Sequence, residues 1–243
     1  MSVWQQERLR WLDFGDGAVQ SIIDIDHPDQ LISPVYHAML APMLFVPIPK
    51  RILLLGVGGG ALARYFNYRF PAVQGEAVEI LSPMAEIARR YFDFPAEENG
   101  WRLIVEDARQ YVSVPSEKYD LIIVDIAHQQ KTPDWITAPK FLQDCRRTLT
   151  DCGVLVLNLL MQDAESFGQS LWNLRRCYDK RVVCLSVPEY KNIELFAFHG
   201  SVPQQLSGEL ESRASEMAKR WGIAFLPLAE RMRQENPVGS GVF

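Results

Sequence analysis

The sequence predicts an α/β protein: a Rossmann-like, mostly parallel sheet with helices on both faces, plus a small N-terminal β-hairpin region. Three observations predict this fold. Short, continuously apolar runs such as 52–55 are typical of strands that are buried on both faces. Helical segments alternate with these runs from residue 51 onward. The first run leads into a glycine-rich turn, 56–60, and then a helix, which is the context of a nucleotide-binding turn.

The first fifty residues differ in pattern from the rest of the chain. Residues 11–24 are predicted to form two short strands around a turn that contains two glycines. Residues 36–40 are predicted to lie on a short helix, and three prolines within 42–49 then mark a linker. We therefore expect a β-rich segment over residues 1–48 and a Rossmann-like nucleoside-binding catalytic domain over residues 49–243.

Strands and helices alternate through the second segment. Strands are predicted at 52–55, 75–80, 101–105, 119–125, 153–159, 181–186 and 194–199. Helices are predicted at 61–70, 83–92, 108–112, 137–149, 165–178 and 205–221. Ligands of such sheets bind at the carboxyl ends of the strands, so the residues that follow each strand are the candidates for function.

Composition and charge exclude several classes of function. The net charge is −5, and the chain lacks the runs of lysines and arginines that are typical of proteins that bind a nucleic-acid backbone. A cationic substrate is compatible with this charge. The four cysteines form no CxxC pair and no histidine cluster lies near them, so we expect no metal site and reduced thiols. The N-terminus has no apolar signal region, and the longest apolar run, 38–48, is too short to span a bilayer. We expect a cytoplasmic protein.

The residues at three successive strand ends predict an adenosine site. Glycines 56, 58 and 59 let the backbone turn sharply and leave room for a ligand against the main chain. Glu79 ends the next strand, about twenty residues later, where a carboxylate can accept hydrogen bonds from ribose hydroxyls. Asp107 follows the third strand and can accept a hydrogen bond from the adenine amine.

Two other interpretations compete with this site. A dinucleotide such as NAD uses a similar turn, but the sequence Asp-Ala-Arg after the third strand fits a single adenosine better. The second alternative is that Glu79 and Asp107 are only helix caps or solvated loop acids.

Six segments, taken in order, resemble the spermidine synthase family of polyamine aminopropyltransferases, whose fold is that of class I adenosylmethionine-dependent methyltransferases. The resemblance extends over residues 10–160 and more loosely beyond. The segments are 12–20, 36–39, 53–64, 78–80, 106–108 and 119–125.

The resemblance implies a role for each matching residue. The family transfers an aminopropyl group from decarboxylated S-adenosylmethionine to putrescine and releases methylthioadenosine. Gln20, Glu79 and Asp107, with Ala108 beside it, would then hold the nucleoside. Asp125 would accept a proton from the attacking amine or orient it, with Tyr36 nearby. The resemblance also implies a homodimer in which the N-terminal hairpins pack between the subunits.

Three acids of the family pattern are replaced in this chain, by Gly59, His128 and Ala38. The acid at position 59 would pair with the ammonium of the decarboxylated donor. Two unit charges about 4 Å apart interact by roughly 4 kcal/mol at an effective dielectric of 20. We therefore expect a weaker preference for that donor, and space for the carboxylated one beside Gly59. His128 is either a base at the mouth of the pocket or a loop histidine without a role.

The sequence thus predicts a transferase that uses S-adenosylmethionine or its decarboxylated form, without a metal. It would move an alkyl group, either a methyl group or an aminopropyl group to a polyamine, to a small-molecule acceptor, for which an amine is one candidate. The replaced acids at Gly59, His128 and Ala38 argue against classic spermidine synthesis, so another alkyl transfer is slightly favoured over it. The alternative is a non-catalytic protein that binds adenosylmethionine or methylthioadenosine as a sensor or interaction partner. Loss of the three acids favours the alternative, and retention of Glu79, Asp107 and Asp125 favours the enzyme.

Overall fold

The computed structural model describes residues 1–13, 15, 19–114, 117–128, 130–160, 162–200 and 209–237. The side chains of Gln20, Glu209 and Leu210 are not among those described. Two residues of the predicted N-terminal turn, Asp16 and Gly17, also lie outside the description.

A small antiparallel sheet opens the chain. In the described residues it has three strands in the order β1 (Ser2–Gln6), β2 (Leu9–Asp13) and β3 (Val19–Asp24). The predicted hairpin corresponds to β2 and β3. Strand β1 was not predicted, because its mostly exposed sequence shows no alternation of apolar and polar residues.

A seven-stranded sheet forms the centre of the described chain, in the order β6-β5-β4-β7-β8-β10-β9. Its strands are β4 Arg51–Leu55, β5 Gln74–Glu79, β6 Trp101–Val105, β7 Tyr119–Val124, β8 Leu149–Leu160, β9 Val182–Ser186 and β10 Asn192–Phe198. Neighbouring strands from β6 to β8 are parallel, and β10 runs antiparallel to both β8 and β9. The mostly parallel sheet predicted from the sequence is confirmed. Strand order reverses between β4 and β7, which is where ligands bind in such sheets.

Helices cover both faces of this sheet. They are α1 Pro34–Met39, α2 Ala61–Arg69, α3 Ser82–Tyr91, α4 Ala108–Ser113, α5 Pro139–Thr148, α6 Ala164–Cys177, α7 Glu209–Trp221 and α8 Phe225–Glu235. One apolar cluster joins the sheet to α1, α2, α3, α7 and α8, and a second joins the opposite face to α4, α5 and α6. Alternate residues of each strand supply the two clusters, so every central strand is buried on both faces.

The N-terminal residues pack onto this core at two places. Leu12 and Ile23 of the small sheet pack against Met84 and Phe92, at the two ends of α3. Apolar residues between 31 and 45 belong to the same cluster as the central sheet. The domain boundary after residue 48 stays a prediction.

Two helices differ clearly from the predicted elements. The predicted helix 137–149 begins instead at Pro139, a residue suited to a first helical turn, after a 3-10 turn over Asp134–Thr137. Helix α8 was not predicted; Pro227 lies within its first turn, where a missing N–H costs nothing. None of the helices in the described part of the chain has the length and hydropathy that a membrane span requires.

Candidate active site

The glycine turn lies where the carboxyl ends of β5, β4 and β7 meet. Gly56 and Gly58 have φ angles of +86° and +51°, a region that favours glycine. The Gly56 N–H donates to the Val78 carbonyl at 2.9 Å, and the Asp125 N–H donates to the Leu55 carbonyl at 2.8 Å. A Cβ on Gly56 would lie 2.9 Å from the Asp125 carbonyl carbon. The turn and Asp125 are therefore in direct contact, and only glycine fits at position 56.

Glu79 is positioned by the same turn. Its side chain is buried at the end of β5. Its Oε2 accepts a hydrogen bond from the Val57 N–H at 3.2 Å, and Oε1 accepts one from the Leu81 N–H at 3.0 Å. Each carboxylate oxygen has a second lone pair, so the group can still accept from ribose hydroxyls. Glu79 is not a solvated loop acid.

Asp107 lies one strand further out, after β6, and caps helix α4, whose first residue is Ala108. Its carboxylate accepts hydrogen bonds from the backbone N–H of Arg109 at 2.8 Å and from Nε of the same residue at 3.0 Å. The Arg109 guanidinium holds the pKa of this carboxyl below its usual range and lies 5.1 Å from the centre of the Trp135 ring. The helix-cap interpretation of Asp107 is thus realised in the structure, and its adenine contact stays a prediction.

Asp125 directly follows β7 and is partly buried. Its Oδ1 accepts a hydrogen bond of 2.7 Å from Nδ2 of Asn158, on the neighbouring strand β8. Burial raises the pKa of the Asp125 carboxyl, and the Asn158 amide opposes that shift. The sequence showed Asn158 as a polar residue in an apolar strand; the structure shows that its amide orients Asp125.

Tyr36 lies on α1, which packs over β8 and β10 on the Asp125 side of the sheet. Burial raises the pKa of the Tyr36 phenol, and the Asp125 carboxylate raises it further. The predicted neighbours Tyr36 and Asp125 are therefore close enough to interact electrostatically.

Glu194 is a second acid at this site that the sequence analysis missed. It lies on β10, directly opposite Asn158 in the antiparallel register. The residue has 0% exposure, and neither carboxylate oxygen has a hydrogen-bond partner among the described residues. Burial raises the pKa of Glu194 well above its ordinary value, and the nearby Asp125 adds to the shift. An acid within the otherwise apolar run 193–198 was the available signal.

The position of a Cβ on Gly59 is already filled, whereas space there for a carboxylated donor stays a prediction. A Cβ at this position would lie 2.9 Å from the Cβ of Ser21 and 3.0 Å from the Phe92 ring. Ser21 is buried on β3, so the small N-terminal sheet fills the volume that a longer side chain would need. Gln20 precedes Ser21 on this strand; its side chain lies outside the described residues, and its role stays a prediction.

The other two replaced acids differ in environment. Ala38 is buried on α1, in the cluster that joins this helix to the sheet. His128 is exposed in the loop after β7, where its backbone pairs with that of Lys131 through hydrogen bonds of 2.9 and 3.1 Å. The structure places Asp125 against the glycine turn, with Tyr36 near Asp125, and leaves His128 on the outer loop. No group of His, Cys, Asp and Glu side chains among the described residues is arranged to hold a metal ion.

Comparisons with known proteins agree with this architecture. The family model described as the spermine/spermidine synthase domain matches residues 33–196. The polyamine aminopropyltransferase of Chromobacterium violaceum is 30% identical over 243 residues, which cover 99% of this chain and 92% of that protein.

Two solved structures share the fold. A probable spermidine synthase from Corynebacterium glutamicum has a TM-score of 0.71 at 22% identity and covers 89% of this chain and 86% of its own. Human methyltransferase-like protein 13, in complex with SAH, has a TM-score of 0.66 at 24% identity and covers 78% of this chain and 89% of its own. Both support the predicted methyltransferase-like fold. With two-thirds of its length inside the family domain and a full-length relative, the chain belongs to the spermine/spermidine synthase family of transferases.

Proposed function

We propose that this chain transfers an aminopropyl group from decarboxylated S-adenosylmethionine to an amine acceptor. The observation that carries the proposal is the position of Asp125. The main chain of Asp125 contacts the glycine turn, and its carboxyl group is oriented by Asn158 and has a raised pKa. A base of this kind, beside a nucleoside site, is suited to removing a proton from the ammonium group of the acceptor before its nitrogen attacks.

The residues around the turn fit the nucleoside part of such a donor. Glu79 keeps free lone pairs for the ribose hydroxyls, and Gly56 and Gly58 let the ligand approach the main chain. Asp107 would accept from the adenine amine with the lone pairs that Arg109 leaves free, or after Arg109 moves aside. When bound, the sulfonium donor supplies an activated carbon next to sulfur.

The chain's own task is to prepare and position the acceptor. The ammonium group loses a proton to Asp125, and its nitrogen then attacks the carbon beside sulfur. The new C–N bond replaces the C–S bond, and methylthioadenosine leaves with the electron pair of that bond. A raised pKa makes Asp125 a better proton acceptor. Most of the rate then comes from orientation, since the donor is already activated.

Methyl transfer from S-adenosylmethionine is the second candidate. Gly59 favours it, because the position lacks a carboxylate that would pair with the aminopropyl ammonium and repel the methionine carboxylate. Against it, Ser21 fills the position that a Cβ on Gly59 would take, so the missing side chain does not by itself leave a free volume there. The full-length relative named above is also called an aminopropyltransferase.

The two reactions release different nucleosides, which gives a direct test. The purified chain is incubated with each donor and an amine mixture, and the products are identified by mass spectrometry. We expect methylthioadenosine from the decarboxylated donor and no S-adenosylhomocysteine from the other. The Asp125→Asn variant should lose about 100-fold or more of this turnover and keep its affinity for methylthioadenosine. Nucleoside binding with no turnover of any amine would favour the sensor alternative.

A homodimer is part of the proposal. Trp4 and Trp11 are cross-strand partners on the small sheet, and Trp4 is 54% exposed. Leu12 and Ile23 face the core from the other side of this sheet. An exposed aromatic residue at this position is suited to a subunit contact.

A further inference from the structure

Arg109 is the second residue of α4 and pairs with Asp107, the acid that caps this helix. Its Nε donates to Oδ1 of Asp107 at 3.0 Å, its Nη2 donates to Oδ2, and its backbone N–H donates to Oδ1 at 2.8 Å. A guanidinium fork of this kind engages the free end of a carboxylate. Because each carboxylate oxygen has two lone pairs, Oδ1 is fully used and Oδ2 keeps at most one.

This ion pair occupies the acceptor that the nucleoside site offers to a base. The side chain of Asp107 is 17% exposed, whereas that of Arg109 is 56% exposed. The solvent-facing side of the pair is therefore formed mainly by the arginine. The amine of an adenine base is a hydrogen-bond donor, as the guanidinium is, so both groups require the same carboxylate oxygens.

A second contact can hold the guanidinium after it leaves Asp107. Its central carbon lies 5.1 Å from the centre of the Trp135 ring, in the 3-10 turn Asp134–Thr137. This ring is half-buried and packs edge-on against the buried Phe141 of α5, with ring centres 4.9 Å apart. A ring that is fixed in this way stabilises a cation above its face. Arg109 can therefore release the carboxylate and stay beside the site.

We propose that Arg109 determines the affinity and the base specificity of the nucleoside site, because its guanidinium competes with the adenine amine for the carboxylate of Asp107. In the free protein the guanidinium holds the carboxylate. In the complex the amine replaces it, and Arg109 remains on Trp135. A 6-oxo base accepts a hydrogen bond where adenine donates one, so it is suited to Arg109 and not to Asp107. This inference rests on the proposed function, which includes the adenine contact of Asp107.

Calorimetry with two nucleosides tests the competition without requiring turnover. The full chain is titrated with 5′-methylthioadenosine and with 5′-methylthioinosine, in which an oxo group replaces the amine. We expect Arg109→Ala to bind methylthioadenosine about 3- to 10-fold more tightly than the wild type does, because no ion pair has to be broken. It should bind methylthioinosine no more tightly, so its preference for the amino base rises.

Two further variants separate competition from a general effect of charge. Arg109→Lys keeps the charge but lacks the fork, so its affinity for methylthioadenosine should lie between those of the wild type and Arg109→Ala. The matched control is Arg176→Ala on α6. Arg176 is also an exposed arginine beside a tryptophan, with its guanidinium carbon 6.0 Å from the ring centre of Trp172. This variant should bind both nucleosides as the wild type does.

The salt dependence of binding gives a readout that a merely structural role of Arg109 would not change. Methylthioadenosine carries no net charge, whereas salt screens an exposed ion pair. Between about 0.01 M and about 1 M salt, the wild type should therefore bind methylthioadenosine more tightly as the salt concentration rises. The affinity of Arg109→Ala should depend much less on salt, because the competing pair is absent.

Equal or weaker binding of methylthioadenosine by Arg109→Ala would overturn the proposal, and so would an unchanged preference between the two bases. Thermal unfolding of each variant shows that it is folded, and the salt dependence of the wild type tests the competition without any substitution. If the wild type and Arg109→Ala bind methylthioadenosine equally well, this inference fails and the nucleoside site stands. If neither binds it, the proposed function fails as well.

Discussion

Asn158 donates a hydrogen bond of 2.7 Å to the carboxylate of Asp125 across two parallel strands. The orientation of this amide is determined from its other end, where Oδ1 accepts a hydrogen bond from Asn192. Because one amide nitrogen and one amide oxygen are both engaged, Asp125 receives a donor in a defined direction. This contact also favours the ionised form of Asp125 against the effect of burial.

Removal of that amide should shift the pH dependence of turnover. The hydrogen bond from Asn158 lowers the pKa of Asp125, so Asn158→Leu should raise it. A base with a higher pKa becomes protonated at a higher pH, so the acidic limb of kcat/KM should move upward in pH. Rates measured across pH with a saturating donor check this. An unchanged limb would contradict the prediction, and Asp125→Asn, which lacks the carboxylate, should show no such limb.

Glu79 should contribute to both stability and nucleoside affinity. Glu79→Ala leaves the N–H groups of Val57 and Leu81 without their acceptor, at a cost of about 1–3 kcal/mol in the free energy of unfolding. Denaturant unfolding and methylthioadenosine titration measure the two effects. The control is Glu86→Ala, an exposed acid on α3, which should change neither quantity. Loss of stability with full nucleoside affinity would restrict Glu79 to a structural role.

Restoring an acid at position 59 should require a second change. Gly59→Asp places a side chain against Ser21 and Phe92, so we expect about 1–3 kcal/mol of destabilisation from overpacking. In the presence of Ser21→Gly the same substitution should cost less, because the nearest atoms are gone. A double-mutant cycle of unfolding free energies measures this coupling. Strict additivity would show that Ser21 does not occupy the space.

Glu194 should lower stability at neutral pH. Its pKa is raised in the folded chain, so the folded state binds more protons than the unfolded state above the ordinary glutamate pKa. At low pH Glu194 is protonated in both states and does not lower the free energy of unfolding. Its destabilising effect grows as pH rises from the ordinary glutamate pKa toward the raised one. Glu194→Gln should therefore gain about 1–3 kcal/mol at pH 7 and less near pH 4. Unfolding at several pH values checks this; a variant that is less stable at pH 7 would contradict it.

The exposed tryptophan of β1 provides a test of the dimer. Trp4→Glu places a charge at the proposed subunit contact, so the dimer should dissociate at concentrations where the wild type is associated. Light scattering after size exclusion measures the mass. Trp172→Glu, on α6 with 58% exposure, is the matched control and should stay dimeric. A wild type that is monomeric at every concentration would remove the dimer from the proposal.

Local patterns in the sequence were sufficient for most of the fold. Continuous apolar runs predicted the central strands, and glycines after the first of them predicted the turn. Acids at strand ends followed from the same reasoning, because the carboxyl ends of parallel strands share one edge of the sheet. Thus Glu79 follows from the strand pattern and Asp125 from the family resemblance, and the structure places both beside the glycine turn.

The sequence by itself therefore determined the strands, the helices and the strand-end acids, since each depends on residues that are neighbours along the chain. Only the tertiary structure decided which distant residues meet. Glu194 faces Asn158 because β10 returns antiparallel to β8, and Ser21 reaches Gly59 because the small sheet docks beside the turn. Periodicity reports which face a side chain takes, whereas strand order and docking depend on contacts between residues far apart in sequence.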